Sequence, residues 1–262
     1  MSKYVSKENL NNIVQEMGKK IPSILNLTNE ELQEIIDAFE PEFGPEDAQW
    51  LTREQTPAFN KRDIITTSGI YTAPVTGWYR ITVKGGGGGG SGGNSSSTGG
   101  GGGGEGGTTF AWEYMTTGDT VTVVIGAGGS GTNGGSTTTG GTGGSSSVTV
   151  NLNTYAATGG GGSFSYGPAG AGGIGTINGA PGGFGSSVNA GTALGGTGGG
   201  SGAGFCDYLY QDTTNHPGEG TDGTNGCGGG GGFANGSTTF KKGGNGGDGF
   251  AWFEYFDTSL NP

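Results

Sequence analysis

One histidine and two cysteines are the first places to look for chemistry in this 262-residue chain. His216 has Asp212 and Glu219 nearby, so a carboxylate-held imidazole base is conceivable. It stands in a Pro/Gly-rich stretch, NHPGEG, with no nucleophile elbow to serve. A zinc site of Cys206, Cys227 and His216 lacks any CxxC pair. Matches to GxGxxG abound, but among 67 glycines they carry no information, and no GK[ST] occurs. Asp207, Asp212, Glu219, Asp222 and Asp248 offer hard oxygen atoms without EF-hand spacing, and they read as solvated loop carboxylates. The chain is expected to be no enzyme, with no metal centre and no cofactor.

Recognition chemistry is better represented. The stretch FCDYLYQDTTNHPGEGTDGTN, residues 205–225, interrupts long glycine tracts with a dense group of rings. Tyr208, Tyr210 and His216 combine apolar bodies with polar tips, which suits a contact surface, and Asp212 can accept hydrogen bonds there. The same rings could instead cover the neighbouring sheets. Cys206 and Cys227 bracket this loop and could pin its base by a disulfide in an oxidising milieu.

Composition divides the elements that must position such a loop. Two glycines, Gly18 and Gly44, precede residue 62, and the other 65 follow it. Residues 1–62 are read as one segment and 63–262 as a second domain. In the first, Leu10, Ile13, Val14 and Met17 fall on one helical face behind a Ser6 cap. Thr28 and Glu31 form a capping box, after which Leu32, Ile35, Ile36 and Phe39 repeat that face until Pro41. Two such short helices cannot stand alone. Leu10, Ile13, Leu32 and Ile36 are the residues expected to make an attachment seam, on a partner or on the glycine domain.

Strand signals in the second part are sparse. Residues 69–75 lead through Thr76-Gly77 into an alternating run over 78–84. Residues 108–115, 120–126 and 147–152 follow, and 249–256 close the chain, apolar enough to share one core with the first strand. Between them lie glycine tracts at 85–107, 126–146, 159–204 and 226–249. Extended helices of three residues per turn make no internal hydrogen bonds. Without side chains they can approach and bond to one another, which is the polyglycine II arrangement and satisfies each buried peptide group.

The net charge is −11, and the second domain has only Arg80, Lys84, Lys241 and Lys242 as cations. Nucleic acid is therefore excluded as a partner. The beginning MSKYVSKENLNN contains no apolar leader, and no run of residues is apolar enough for membrane insertion.

The series TAPVTGWYRITVKGGGGGG, TTGDTVTVVIGAGG and GGNGGDGFAWFEYF resembles the glycine-rich domain of phage tail and virion proteins. It is also similar to the glycine-rich module of anaplastic lymphoma kinase, a TNF-like β-sandwich with polyglycine II insertions. The resemblance spans about residues 66–256. It implies a TNF/jelly-roll-like antiparallel sandwich, which with the helical anchor read from residues 1–62 makes a mainly β, α+β protein; that anchor does not resemble the attachment domain of phage adhesins. It further implies a fibre or tail adhesin of a bacteriophage virion. Residues 1–62 would hold other virion proteins, loops of the glycine domain would contact a host surface protein or glycan, and a homo-oligomer such as a trimer would be in keeping. A decoration protein without recognition and a bacterial surface or ice-binding protein are the alternatives. Thr137, Thr138 and Thr139 cluster without the fixed spacing that an ice-binding face requires.

Overall fold

Alternation of apolar and polar residues over 77–84 and 120–124 is what a half-buried strand requires, and the apolar run 250–255 suits a central one. In the computed structural model these stretches belong to two four-stranded antiparallel sheets. The structure describes residues 59–93, 98–135, 137–164, 168–186, 192–204, 219–235 and 239–257. The attachment-seam residues Leu10, Ile13, Leu32 and Ile36, with the helices expected around them, lie outside the described residues.

Strands β1 (Lys61–Ile65), β2 (Gly69–Thr72), β3 (Gly77–Lys84) and β4 (Thr108–Met115) come first. They are followed by β5 (Thr120–Val124), β6 (Ser146–Val150) and β7 (Asn153–Ala157). The two-residue strands β8 (Thr192–Ala193), β9 (Ala234–Asn235) and β10 (Thr239–Phe240) precede β11 (Phe250–Tyr255). The first sheet has the order β1-β11-β3-β4 and the second β2-β5-β6-β7, while β10-β9-β8 form a small third sheet. One apolar core joins the two larger sheets. Tyr79, Ile81, Val83, Met115 and Phe253 line it from one side and Tyr71, Val121, Val123, Val148 and Val150 from the other.

Several sequence expectations change. Residues 69–84 do not form a hairpin, because β2 pairs with β5 while β3 pairs with β11 and β4. The first and last strands of the sequence reading meet through their faces: Tyr71 stacks on Phe253 with centroids 4.1 Å apart. Strand β1 crosses the composition step at residue 62, so the β-structured unit begins at Phe59. The run 147–152 stops at Val150, since Asn151 and Leu152 turn with positive φ.

The glycine tracts continue the strands at one end of the two sheets. They run as extended rods with a period of three in their hydrogen bonds. Gly85, Gly88 and Ser91 donate to the carbonyls of Gly107, Gly104 and Gly101. Gly86 and Gly89 donate to Gly144 and Gly141, and Gly87, Gly90 and Gly93 donate to Gly247, Gly244 and Lys241. Carbonyls on the same rod accept in the same rhythm. Gly87 and Gly90 receive from Gly129 and Thr132, Gly86 and Gly89 from Gly160 and Ser163, and Gly88 and Ser91 from Gly229 and Gly232. The rod 85–93 thus has six neighbours, three running against it and three with it.

Rods 99–107 and 227–232 are surrounded in the same way, and the three contact one another. Around them, among the described residues, stand 126–135, 139–145, 158–164, 168–174, 178–186, 194–200, 202–204, 219–225 and 241–249. This is hexagonal packing of backbones, three rods inside a ring of nine. A Cβ on Gly88 would overlap the carbonyl oxygen of Gly161, and one on Gly89 would overlap that of Ser130. Only glycine permits this approach.

Ser91 and Glu105 are the side chains that interrupt two of the inner rods. Ser91 Oγ replaces a lattice partner by accepting from Gly101 N at 2.9 Å and donating to Phe164 O at 2.7 Å. Glu105 Oε1 meets Lys84 Nζ at 2.6 Å where the array joins the sheets.

The substitution Gly88→Ala should therefore lower stability by ~3 kcal/mol or more, the upper range of overpacking. Gly69→Ala, where an added Cβ has nothing within 4 Å, should change it by less than ~0.5 kcal/mol. Thermal unfolding followed by circular dichroism checks the pair; equal behaviour of the two variants would contradict the lattice.

Candidate functional site

Several outer rods have one side open to water, and there a residue other than glycine recurs every third position. Thr139, Thr142 and Ser145 form one exposed row, and Ala127, Ser130 and Asn133 form the next. Lys242, Asn245 and Asp248 form another, and Pro168, Ala171 and Ile174 a fourth. At about 3.1 Å per residue the side chains of a row stand ~9 Å apart. The threonines that looked irregular as 137–139 are therefore in register at 139 and 142.

Some of these side chains finish the hydrogen-bonding of the ring. Asp248 Oδ1 accepts from Gly128 N at 2.7 Å, Asn245 Oδ1 from Gly131 N at 2.9 Å, and Asp222 Oδ1 from Asn245 N at 2.7 Å. Two carboxylates that could have been weighed as cation ligands thus serve as backbone acceptors. Among the described residues no three His, Cys, Asp or Glu side chains gather as a metal-binding group.

Of the loop read as 205–225, residues 219–225 run as an outer rod, and 205–218 lie outside the described residues. Gly204 N donates to Gly228 O at 2.9 Å and Gly220 N to Lys242 O at 2.9 Å, which fixes both ends on the outer ring. Tyr208, Tyr210, Asp212, His216 and Cys206 lie outside the described residues. Cys227 is a free, buried thiol at the start of an inner rod. Its Sγ accepts from Gly202 N at 3.3 Å. Burial pushes this thiol up from its ordinary pKa, and the nearby Glu105 adds to the effect. It is a neutral packing group, since the thiolate is the reactive form.

The outer face of the first sheet carries a row of rings that sequence reading left unassigned to either face. Phe110, Trp112 and Tyr114 on β4 point to solvent, while Ala111 and Met115 fill the core. The period of two is visible in the sequence, and the structure shows which of its two faces is buried. Trp78 meets Tyr114 edge-on at 5.7 Å, and Phe59 lies 5.6 Å from Trp112. Beside them Glu254 accepts from Arg62 Nη2 at 2.6 Å and from Arg80 Nε at 2.7 Å. Burial pushes the Glu254 carboxyl up, but the hydrogen bonds and charges of the two arginines outweigh it and leave it below the usual range.

A second polar group lies at the rim of the core. Asp63 Oδ2 accepts from Tyr71 Oη at 2.9 Å and Tyr255 Oη at 3.1 Å. Tyr79 Oη donates to Val75 O at 2.7 Å. These bonds bury three phenols without leaving a hydroxyl unpaired.

The family model described as a glycine-rich domain matches residues 65–256. The chain belongs to the glycine-rich domain family. The matched stretch begins at the last residue of β1 and ends just beyond β11, so it takes in nearly all of both sheets and the array. Among curated proteins no match is found.

The phenol cluster gives the glycine-rich domain a testable alkaline limit. Burial, and then the hydrogen bond to Asp63, raises Tyr71 far above its ordinary value and pushes Tyr255 up to about 12. Burial raises Tyr79 as well, against the opposing bond to Val75. The unfolded chain releases these protons near pH 10 while the folded one keeps them. Stability is therefore whole below pH 10 and falls as pH rises from 10 towards 12, by up to ~1.4 kcal/mol per pH unit for each phenol. Melting temperatures measured across that window should drop, and Tyr255→Phe should flatten the slope.

Proposed function

We propose that this protein is a non-catalytic display component of a bacteriophage virion with two working ends: residues 1–62 hold other virion proteins and the glycine-rich domain faces the host. We read the rods as polyglycine II helices on a TNF-like sandwich. The three-residue rhythm of bonds between rods, with all donors of 85–93 spent on other segments, supports that reading.

The observation that carries the functional proposal is the polarity of the domain. The chain enters at Phe59, and Asn60 is tied to Asp257 where the strands turn away from the array. Residues 93, 99, 135, 164, 186, 194, 233 and 241 end their rods at the opposite extremity, as their mutual hydrogen bonds require. A scaffold attached at one end and carrying its loops at the other is suited to presenting them to a surface, because the rigid rods bear the ordering cost. Tyr208, Tyr210 and His216, with Asp212 as acceptor, remain the proposed contacts for a host protein or glycan.

Deleting residues 205–218, which leaves the rod 219–225 in place, should abolish adsorption of phage to host cells while the particle still incorporates the protein. Tyr208→Ala or Tyr210→Ala should weaken binding by ~1–3 kcal/mol if either is a hot spot. Adsorption unchanged by the deletion would favour a decoration protein that lends stiffness alone. Separately, Ile13→Asp combined with Ile36→Asp should strip the protein from purified particles with the melting of the glycine-rich domain unaltered. Full retention of that variant would refute attachment through residues 1–62.

A further inference from the structure

One flank of the domain is apolar from end to end, and the proposed display function makes no use of it. Strand β4 is the edge of its sheet and continues the inner rod 99–107. Rods 168–174, 178–186 and 194–200 pack on that same inner rod. The bridge between Thr108 and Ile177 joins the strand to this group of rods. Along the strand Trp112 and Tyr114 are about half exposed, at 56% and 49%. Along the rods Ile174, Ile177 and Phe184 are exposed by 67%, 57% and 76%. The rods on the other flank carry Thr139, Thr142, Asn245 and Asp248 at the equivalent outward positions.

We propose that this flank is the interface between copies of this chain. Its area fits. The five large apolar side chains Trp112, Tyr114, Ile174, Ile177 and Phe184, each about half exposed or more, present on the order of 500 Å². Two such faces would bury on the order of 1,000 Å² in total, the size at which specific interfaces begin, and the flank stands at the upper end of the patches that monomers expose. Its composition fits too, with rings and few charges, as in the centre of a protein interface.

Charge argues for a copy over a hydroxyl-rich ligand. The arginines beside the rings, Arg62 and Arg80, are both spent on Glu254. The flank therefore offers little hydrogen bonding to a glycan and much hydrocarbon to a protein face. Elsewhere an excess of acidic groups, within a net charge of −11 for the chain, makes copies repel. Contact along this neutral strip avoids that repulsion.

The test is the mass of the full-length protein in solution, by light scattering after size exclusion and by sedimentation at micromolar concentration. The wild type should be an oligomer. Trp112→Ser and, independently, Phe184→Asp should each shift it to monomer, while Thr142→Asp on the polar flank should leave its mass unchanged. Phe184 is three-quarters exposed, so its variant keeps the fold even if the strand variant does not. A monomeric wild type overturns the proposal. So does an oligomer that keeps its mass in the Phe184 variant, or one that Thr142→Asp dissociates equally.

Discussion

An extended helix of three residues per turn satisfies none of its own amides or carbonyls, so every buried one must find a partner on another rod. This requirement dictates the rest of the molecule. Bonds between rods demand close approach, close approach excludes Cβ, and hence Gly85 to Gly90 run unbroken in the centre of the array. An unpaired buried peptide group costs about 1–3 kcal/mol, so a single rod out of register would cancel much of a domain's stability. Register cannot come from side chains that are absent. It comes from the sheets, whose strands β3, β4, β5, β6, β7 and β11 each connect directly to a rod and fix where it starts.

The two halves of the domain thus use opposite means of cohesion. Between the sheets, Tyr79, Ile81, Met115 and Phe253 bury hydrocarbon in the ordinary way. Within the array, cohesion is peptide against peptide, and polar side chains appear only where the lattice ends or is interrupted. Ser163 and Ser91 substitute for lattice partners inside it, and Asp222, Asn245 and Asp248 close it at the rim. The Lys84–Glu105 pair sits where one regime gives way to the other.

Much of this was legible in the sequence, for identifiable reasons. The span 108–115 was read as a strand with the same limits as β4, because its alternation is strong. The face it buries is not given by the alternation, which fixes only the period: Ala111 and Met115 enter the core and the rings face outward. The partnership of β2 with β5 was hidden because sequence neighbours joined by Thr76-Gly77 look like a hairpin. Glycine tracts announced rods, yet nothing local indicates that Gly87 must meet Gly247. β1 went unread because its charged residues, Lys61, Arg62 and Asp63, obscure a strand whose polar groups are answered only by Glu254 and the core phenols. The proposed contact residues around Tyr208 rest on sequence reading, with the ends of their loop fixed at Gly204 and Gly220.

The all-backbone interior has a thermodynamic consequence. Heat capacity rises by about 0.45 cal/K/mol for each Å² of apolar surface that unfolding exposes, and falls by about 0.26 for each Å² of polar surface. Melting the rods exposes chiefly peptide groups, so the two contributions offset each other there far more than in a hydrocarbon core. The stability curve of such a domain bends less with temperature. Its cohesion then persists on cooling, where the hydrophobic driving force between the sheets fades.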